Sequence, residues 1–222
     1  MGGSGVGGWA GRGSICDLET RLLYFHAMTS RDQVIKNLDS LIQQIGPLQN
    51  VLALLSKTSI RYGLYAGSHV AVLTNNRSPQ DVDFLVHDDD IDELRKVFST
   101  ARIDESGPAT FLYVDNDNLI EFMARASIRI EEAVFPFRLT DLACQHIYNY
   151  ETKLGTINIV DPVDTLLLKA ILQRGGIKHD LEDVSSVLAE IEIDRKYLQA
   201  RIKESKAGAR TVDIWRRFGI QI

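Results

Sequence analysis

The chain is organised around residues 62–86, which have the sequence YGLYAGSHVAVLTNNRSPQDVDFLV. This stretch predicts a turn of small residues, an apolar helix, a polar loop and a strand that carries Asp81 and Asp83. Because strand side chains alternate between two faces, both carboxylates point to one side and Val82 and Phe84 to the other. Two carboxylates on one face repel each other and lose solvation. They therefore favour a divalent cation, Mg²⁺ or Mn²⁺, as a neutralising partner.

Gly67 and Ser68 stand where the predicted turn becomes a helix. The free backbone N–H groups and the positive end of a helix at such a place suit a phosphate. A Gly-Ser pair alone is common in turns, and a D-x-D pair alone is common in surface loops. Together, with the acidic strand directly after the helix, they are typical of nucleotide chemistry.

The same segment resembles the signature of the DNA polymerase β-type nucleotidyltransferase superfamily, a Gly-Gly/Ser turn followed by D-x-D. More narrowly, AGSHVAVLTNNRSPQDVDF is similar to the AbiEii-type toxin branch, whose members have G-G/S-T-A-L-A-L…R-x-S-x-D-x-D. The resemblance implies the nucleotidyltransferase fold, of the α/β (α+β) class: a small mixed β-sheet flanked by helices, followed by a helical C-terminal half. The implied reaction moves an NMP from an NTP to a hydroxyl of an RNA, protein or small-molecule acceptor. In the toxin branch, an antitoxin is a further expected partner.

The resemblance also implies roles for individual residues. Asp81 and Asp83 would bind the metal ions, and Gly67 and Ser68 the phosphates. Glu121, a carboxylate inside the apolar stretch NLIEFMA, matches a third carboxylate that completes the metal site or acts as the base. The alternative is an exposed strand face.

Arg77, in the loop before the acidic strand, matches an arginine that faces the triphosphate. The alternative for Arg77 is a solvated loop position.

A second motif lies in the last third of the chain, where the pattern is helical. Lys169 and Arg174, followed by Lys178-His179-Asp180 and Asp183, partly match the second AbiEii signature, K-x-x-x-x-x-R followed by R-D-x-x-D. By this resemblance Lys169 is a catalytic residue that holds nucleotide phosphate, and Asp180 positions the lysine or the substrate. We expect the Lys169 ammonium to point away from the leucine-rich core and into a cleft. Solvated helix-surface charges are the alternative.

Two other patterns have competing interpretations. His179-Asp180, with His146 upstream, is similar to the HD phosphohydrolases, which need further metal ligands. The run Asp88-Asp89-Asp90 suggests metal chemistry but is better interpreted as a helix start, because Asp90 and Glu93 fit a capping box.

Composition narrows the class of protein. The chain has 222 residues, is 45% hydrophobic and 25% charged, and has a net charge of −5. These values are typical of a globular protein and argue against nucleic-acid binding through overall charge. Cys16 and Cys144 form no disulfide framework, which favours a reducing, cytoplasmic location. No apolar run approaches the length of a membrane span, so no membrane partner is expected.

Changes in composition divide the chain into three parts. Residues 1–27 are Gly-rich and lack sustained periodicity, so they are interpreted as an expression tag or disordered arm, with a native flexible arm as the alternative. Residues 28–160 are expected to form the α/β nucleotidyltransferase domain, and residues 161–222 a helical domain. A fold of this kind could also have lost catalysis and serve as a binding or regulatory module.

Overall fold

The computed structural model describes residues 30–76, 78–114, 117, 119–176 and 178–222. The predicted segment 1–27 lies outside the described residues. The first described helix, α1 (Arg31–Gln44), begins after Ser30, whose hydroxyl oxygen caps it by accepting the Gln33 N–H at 3.2 Å. The second helix is α2 (Leu48–Leu55).

The motif segment folds as a strand, a helix and a second strand. These elements are β1 (Tyr62–Tyr65), α3 (Ala66–Thr74) and β2 (Val82–Val86). The remaining elements of the first 160 residues are α4 (Ile91–Val97), β3 (Arg102–Asp104), β4 (Thr110–Tyr113), β5 (Ile120–Ala124), β6 (Ser127–Ile130), β7 (Ala133–Pro136), α5 (Asp141–Cys144), β8 (Tyr148–Thr152) and β9 (Gly155–Ile159).

Within the described residues, seven strands form one mixed sheet with the order β3-β4-β5-β2-β1-β9-β8. The acidic strand β2 lies near the middle, parallel to β5 and antiparallel to β1. β6 and β7 pair separately as a hairpin. The prediction of a mixed sheet flanked by helices is confirmed.

One face of the sheet supports the main apolar core. Phe84 of β2 stacks on Phe122 of β5 with ring centroids 5.1 Å apart, and Phe122 also stacks on Phe98 after α4. Buried residues of α1 and α2 belong to the same cluster. The opposite face of β2, which carries Asp83, is therefore free to line a site.

The last third of the described chain is helical, as predicted. Its elements are α6 (Pro162–Leu172), α7 (Asp180–Glu190), α8 (Arg195–Ser205) and α9 (Gly208–Arg217). Their apolar cluster also includes Val70 and Leu73 of α3, so the motif helix packs against the helical half. No described helix is both long and apolar enough to cross a membrane.

The capping box predicted for Asp90 in the acidic run is wrong. Asp90 makes no capping hydrogen bond to the start of α4. Its carboxylate instead accepts the Arg61 backbone N–H and guanidinium at 2.8 Å. The Arg61 guanidinium forms two bonds to this carboxylate, through Nε and Nη2, and such a bidentate pair replaces a single local cap.

Candidate functional site

The turn between β1 and α3 contains a residue with a left-handed backbone conformation. Ala66, rather than Gly67, adopts the left-handed conformation, with φ at 57°. Ser68 is fully buried, and its hydroxyl donates to the Tyr65 carbonyl at 3.1 Å and accepts the Asp83 N–H at 3.5 Å. The Ser68 side chain therefore connects the turn to the acidic strand, while Gly67 lines the neighbouring cleft.

The predicted carboxylates meet on one face of the sheet. Asp83 is the register partner of Tyr65 on β1 and of Glu121 on β5. Asp81, just before β2, lines the same cleft as Asp83 and Glu121. The alternation predicted for Asp81 and Asp83 therefore brings both to the cleft, and strand pairing adds Glu121 to them.

The surroundings of these groups oppose negative charge. Burial, followed by the charges of Asp81 and Glu121, raises the pKa of Asp83 from 3.8 to about 7. Burial also raises the pKa of Glu121, although a hydrogen bond from the Tyr113 hydroxyl opposes that rise. A site with this electrostatic character attracts a cation.

The cleft has a volume of about 700 Å³ and its opposite wall is basic. Lys169 lines it from α6, and the segment between α6 and α7 contributes Arg174 and Lys178. Lys169 and Lys178 both lower the pKa of Asp83, although burial and the acidic neighbours have the larger effect. Both sequence motifs, which are about 90 residues apart in the chain, thus face one cavity.

Lys169 lines the cleft, as the sequence suggested, but its ammonium is held in buried ion pairs. Its side chain is only 6% exposed, and Nζ lies 3.0 Å from Asp180 Oδ1 and 2.9 Å from Asp183 Oδ2. The prediction of an exposed ammonium is therefore wrong. A lysine surrounded by buried helix faces keeps its charge inside the protein only where carboxylates compensate it.

Asp180 joins this lysine to the cleft mouth. The carboxylate is fully buried, and it accepts the Arg174 backbone N–H at 2.8 Å and Nε at 2.9 Å. Burial alone would raise the pKa of Asp180, but the hydrogen bonds from Arg174 and Lys169 outweigh it and hold the pKa below its usual range. Asp180 therefore positions the basic side chains of Lys169 and Arg174. Its expected role in positioning the substrate stays a prediction.

The HD phosphohydrolase alternative has no support among the described residues. His179 is 56% exposed on its side chain and contacts Glu182, whereas the His146 ring stacks on Tyr197 at 3.7 Å. The described chain contains no group of three His, Cys, Asp or Glu side chains arranged to hold a metal ion. Arg77 lies outside the described residues, so its expected contact with the triphosphate stays a prediction.

The donor chemistry of Asp81 and Asp83 nevertheless fits Mg²⁺ or Mn²⁺. Mg²⁺ commonly takes only one or two protein carboxylates, with substrate phosphates and water completing its shell. Asp81 and Asp83 are suited to that arrangement, because burial and the charges of Asp81 and Glu121 make the ionised form of Asp83 unfavourable without a cation. Glu121 is then a neighbour of the metal pair and a candidate base, and its place in the metal shell stays a prediction.

Sequence reasoning missed several cleft residues. Tyr65, Phe111 and Met123 line the cleft from three strands, and Arg129 lines it from β6. Phe111 pairs with Met123 in the β4–β5 register, two positions from Tyr113 and Glu121. Strand alternation could have assigned each residue to a face, but only the register brings residues of different strands together.

A solved structure with a TM-score above 0.5 shares this fold. ANT(2'')-Ia in complex with adenylyl-2''-tobramycin matches with a TM-score of 0.51 and 9% identity, over 75% of this chain and 99% of that chain. The solution structure of the antibiotic-resistance factor ANT(2'')-Ia matches with a TM-score of 0.49 and 11% identity, over 80% and 97%. The Thermotoga maritima protein TM1012 matches with a TM-score of 0.47 and 17% identity, over 67% and 94%.

No protein-family model matches the chain, and no curated protein matches it in sequence. At these identities the structural likeness concerns the fold alone. That fold is the nucleotidyltransferase fold expected from residues 67–83, so the predicted fold class is confirmed. The narrower similarity to the AbiEii-type branch stays a prediction.

Proposed function

We propose that the protein is a metal-dependent nucleotidyltransferase that moves an NMP from an NTP to an acceptor hydroxyl. The observation that carries the proposal is the composition of one cleft. Asp81, Asp83 and Glu121 line it together with Gly67 at the start of α3, and basic side chains line the opposite wall. A triphosphate needs an acidic metal site and positive groups around its remaining charge, and this cleft offers both.

The residues of the cleft have separable tasks. The N–H groups at the start of α3 would bind phosphate oxygens, since a helix N-terminus favours anions. Lys178 and Arg174, both exposed at the cleft, would contact the same phosphates from the other side. Mg²⁺ or Mn²⁺ held by Asp81 and Asp83 would supply charge neutralisation for the triphosphate and for the departing pyrophosphate.

The transfer step exchanges one bond at the α-phosphorus for another. The acceptor oxygen forms a bond to the α-phosphorus, and the bond from the α-phosphorus to the bridging oxygen breaks, so that pyrophosphate leaves with the electron pair. Glu121, whose pKa burial raises, would take the proton of the attacking hydroxyl. Tyr113, hydrogen-bonded to Glu121, would orient that carboxylate.

The test uses each of the four NTPs, labelled at the α-phosphate, with Mg²⁺ and three acceptor pools: total cellular RNA, total protein and small molecules. The small molecules include aminoglycosides, because ANT(2'')-Ia shares the fold and is found with an adenylylated aminoglycoside. We expect label in one pool, and none with γ-labelled NTP or with EDTA. Asp81→Asn and Asp83→Asn should each lower transfer by roughly a thousandfold or more.

The control is Asp92→Asn, which removes an exposed carboxylate of α4 that does not line the cleft. Its transfer rate should equal that of the wild type. Unchanged transfer in either Asp81→Asn or Asp83→Asn would overturn the proposal. Mg²⁺-dependent NTP binding without transfer to any pool would favour the alternative, a binding or regulatory module. An effect on cell growth relieved by a second protein would support the toxin role and an antitoxin partner.

A further inference from the structure

The turn that begins α3 contains an unusual backbone conformation. Ala66 adopts φ at 57°, a left-handed conformation that a side chain disfavours. Its N–H group donates to Thr165 Oγ1 at 3.2 Å. Thr165 lies on α6, 99 residues further along the chain, so the helical half holds the turn in a conformation that the local sequence disfavours.

The Thr165 hydroxyl has a second partner that defines its orientation. Thr165 Oγ1 lies 2.9 Å from His69 Nδ1, and both side chains are fully buried. Burial lowers the pKa of His69 to about 3, so the ring is neutral. With the Ala66 N–H donating to the Thr165 oxygen, the hydroxyl proton is available for Nδ1.

In the described part of the chain, His69 Nε2 has no hydrogen-bond partner. The buried His69 ring thus has one unsatisfied nitrogen, and its other nitrogen contacts the threonine that holds the turn. Such an imperfectly satisfied polar pair is costly for folding, which argues for a role in the adjoining site.

We propose that Thr165, oriented by His69, is a positioning residue of the nucleotide site. It holds Ala66 in the left-handed conformation and thereby presents the N–H groups at the start of α3 to the phosphates of an NTP. Thr165 lies one helical turn before Lys169, which lines the cleft. Helix α6 would thus contribute both to one wall of the site and to the shape of the opposite one. This inference rests on the proposed function, since it needs an NTP in the cleft.

The first test compares NTP affinity in three proteins by calorimetry with Mg²⁺ and ATP, GTP, CTP or UTP. Thr165→Val keeps the volume of the side chain but leaves the Ala66 N–H without its acceptor. We expect it to weaken affinity for the preferred NTP by roughly tenfold, the effect of one hydrogen bond. Thr165→Ser retains the hydroxyl and should stay within roughly twofold of the wild type.

A matched control separates positioning from a general loss of stability. Thr211 of α9 is also fully buried, and its hydroxyl donates to the Ala207 carbonyl at 2.9 Å. Thr211→Val should lower the melting temperature about as much as Thr165→Val does, yet leave NTP affinity unchanged. Equal losses of affinity in both variants would mean that Thr165 acts only through stability, and would overturn the inference.

A second substitution, at Ala66, tests directly whether Thr165 acts through the left-handed conformation of that residue. Glycine adopts positive φ without the penalty that alanine carries. Ala66→Gly should therefore restore most of the NTP affinity lost in Thr165→Val. Wild-type affinity in Thr165→Val, or no recovery in the double variant, overturns the inference and leaves the proposed function intact. Absence of NTP binding by the wild type overturns both.

Discussion

Asp83 lies in surroundings that oppose its negative charge. Its folded-state pKa of about 7, against an ordinary value of 3.8, means that the folded protein holds the proton more tightly than the unfolded chain does. Without metal, the stability of the protein should fall as the pH rises from about 4 to about 7, and should change no further through this group above pH 7.

Asp83→Asn removes this titration. The difference in melting temperature between the variant and the wild type should therefore depend on pH. In metal-free buffer at pH 8, the variant should melt about 2–4 °C higher than the wild type, the shift expected for about 1 kcal/mol in a protein of this size. The effect is no larger because Asp83 is partly exposed, and water screens its charge. At pH 4 the melting temperatures should coincide. A difference of equal size at both pH values, measured by calorimetry beside Asp92→Asn, would contradict the assignment.

At the scale of elements, helix α6 contacts the rest of the molecule through successive polar side chains. Asp164 accepts Arg201 Nε at 2.6 Å and the Tyr197 hydroxyl at 2.7 Å, both from α8. Thr165 bonds to the α3 turn, and Lys169 bonds to α7. Since α6 is covered on all sides, its polar groups are paired with neighbouring helices rather than with water.

Lys169→Met should therefore destabilise the fold before it reports on nucleotide binding. The substitution leaves Asp180 and Asp183 buried without the ammonium, and breaking such a buried pair costs roughly 3–5 kcal/mol. Urea denaturation should show this loss as a lower midpoint, and adding Asp183→Asn should recover part of it.

Lys178→Met is the control for the prediction that Lys169→Met destabilises the fold. Lys178 lines the same cleft but is exposed. Its replacement should leave the midpoint almost unchanged while lowering NTP affinity about tenfold, as expected for a lost charge-assisted contact. Equal midpoints for Lys169→Met and the wild type would show that the Lys169 ion pairs contribute nothing to stability.

At the scale of the whole molecule, the predicted division at residues 160/161 lies next to the start of α6. The apolar packing, however, continues across this division. The apolar cluster of α6 to α9 includes Val70 and Leu73 of α3 and Phe135 of β7. Removing the first half would expose the side of that cluster which these residues cover.

We accordingly expect a fragment of residues 161–222 to lack a cooperative thermal transition when followed by circular dichroism. Adding a fragment of residues 30–160 should restore a transition, because it supplies α3 and β7. The full chain is the reference for the cooperative transition. A sharp transition of the short fragment alone would instead support an independent helical domain.

Much of the architecture could be predicted from local patterns. The strand with alternating carboxylates and the helical pattern of the last third are properties of short stretches, and they appear where expected. Asp90 was misinterpreted because the capping box and the bond to Arg61 compete for one carboxylate, and sequence shows only the first.

The sequence by itself determined the turn–helix–strand segment and the shared face of Asp81 and Asp83, because each follows from side-chain periodicity within a few residues. The fold class came from the resemblance of residues 67–83 to a known family. The tertiary structure alone decided that Glu121 pairs in register with Asp83, and that Thr165 holds a strained Ala66. It also decided that Lys169 is enclosed by two carboxylates. Burial and charge pairing depend on which distant surfaces meet, and the spacing of residues along a chain carries no information about that.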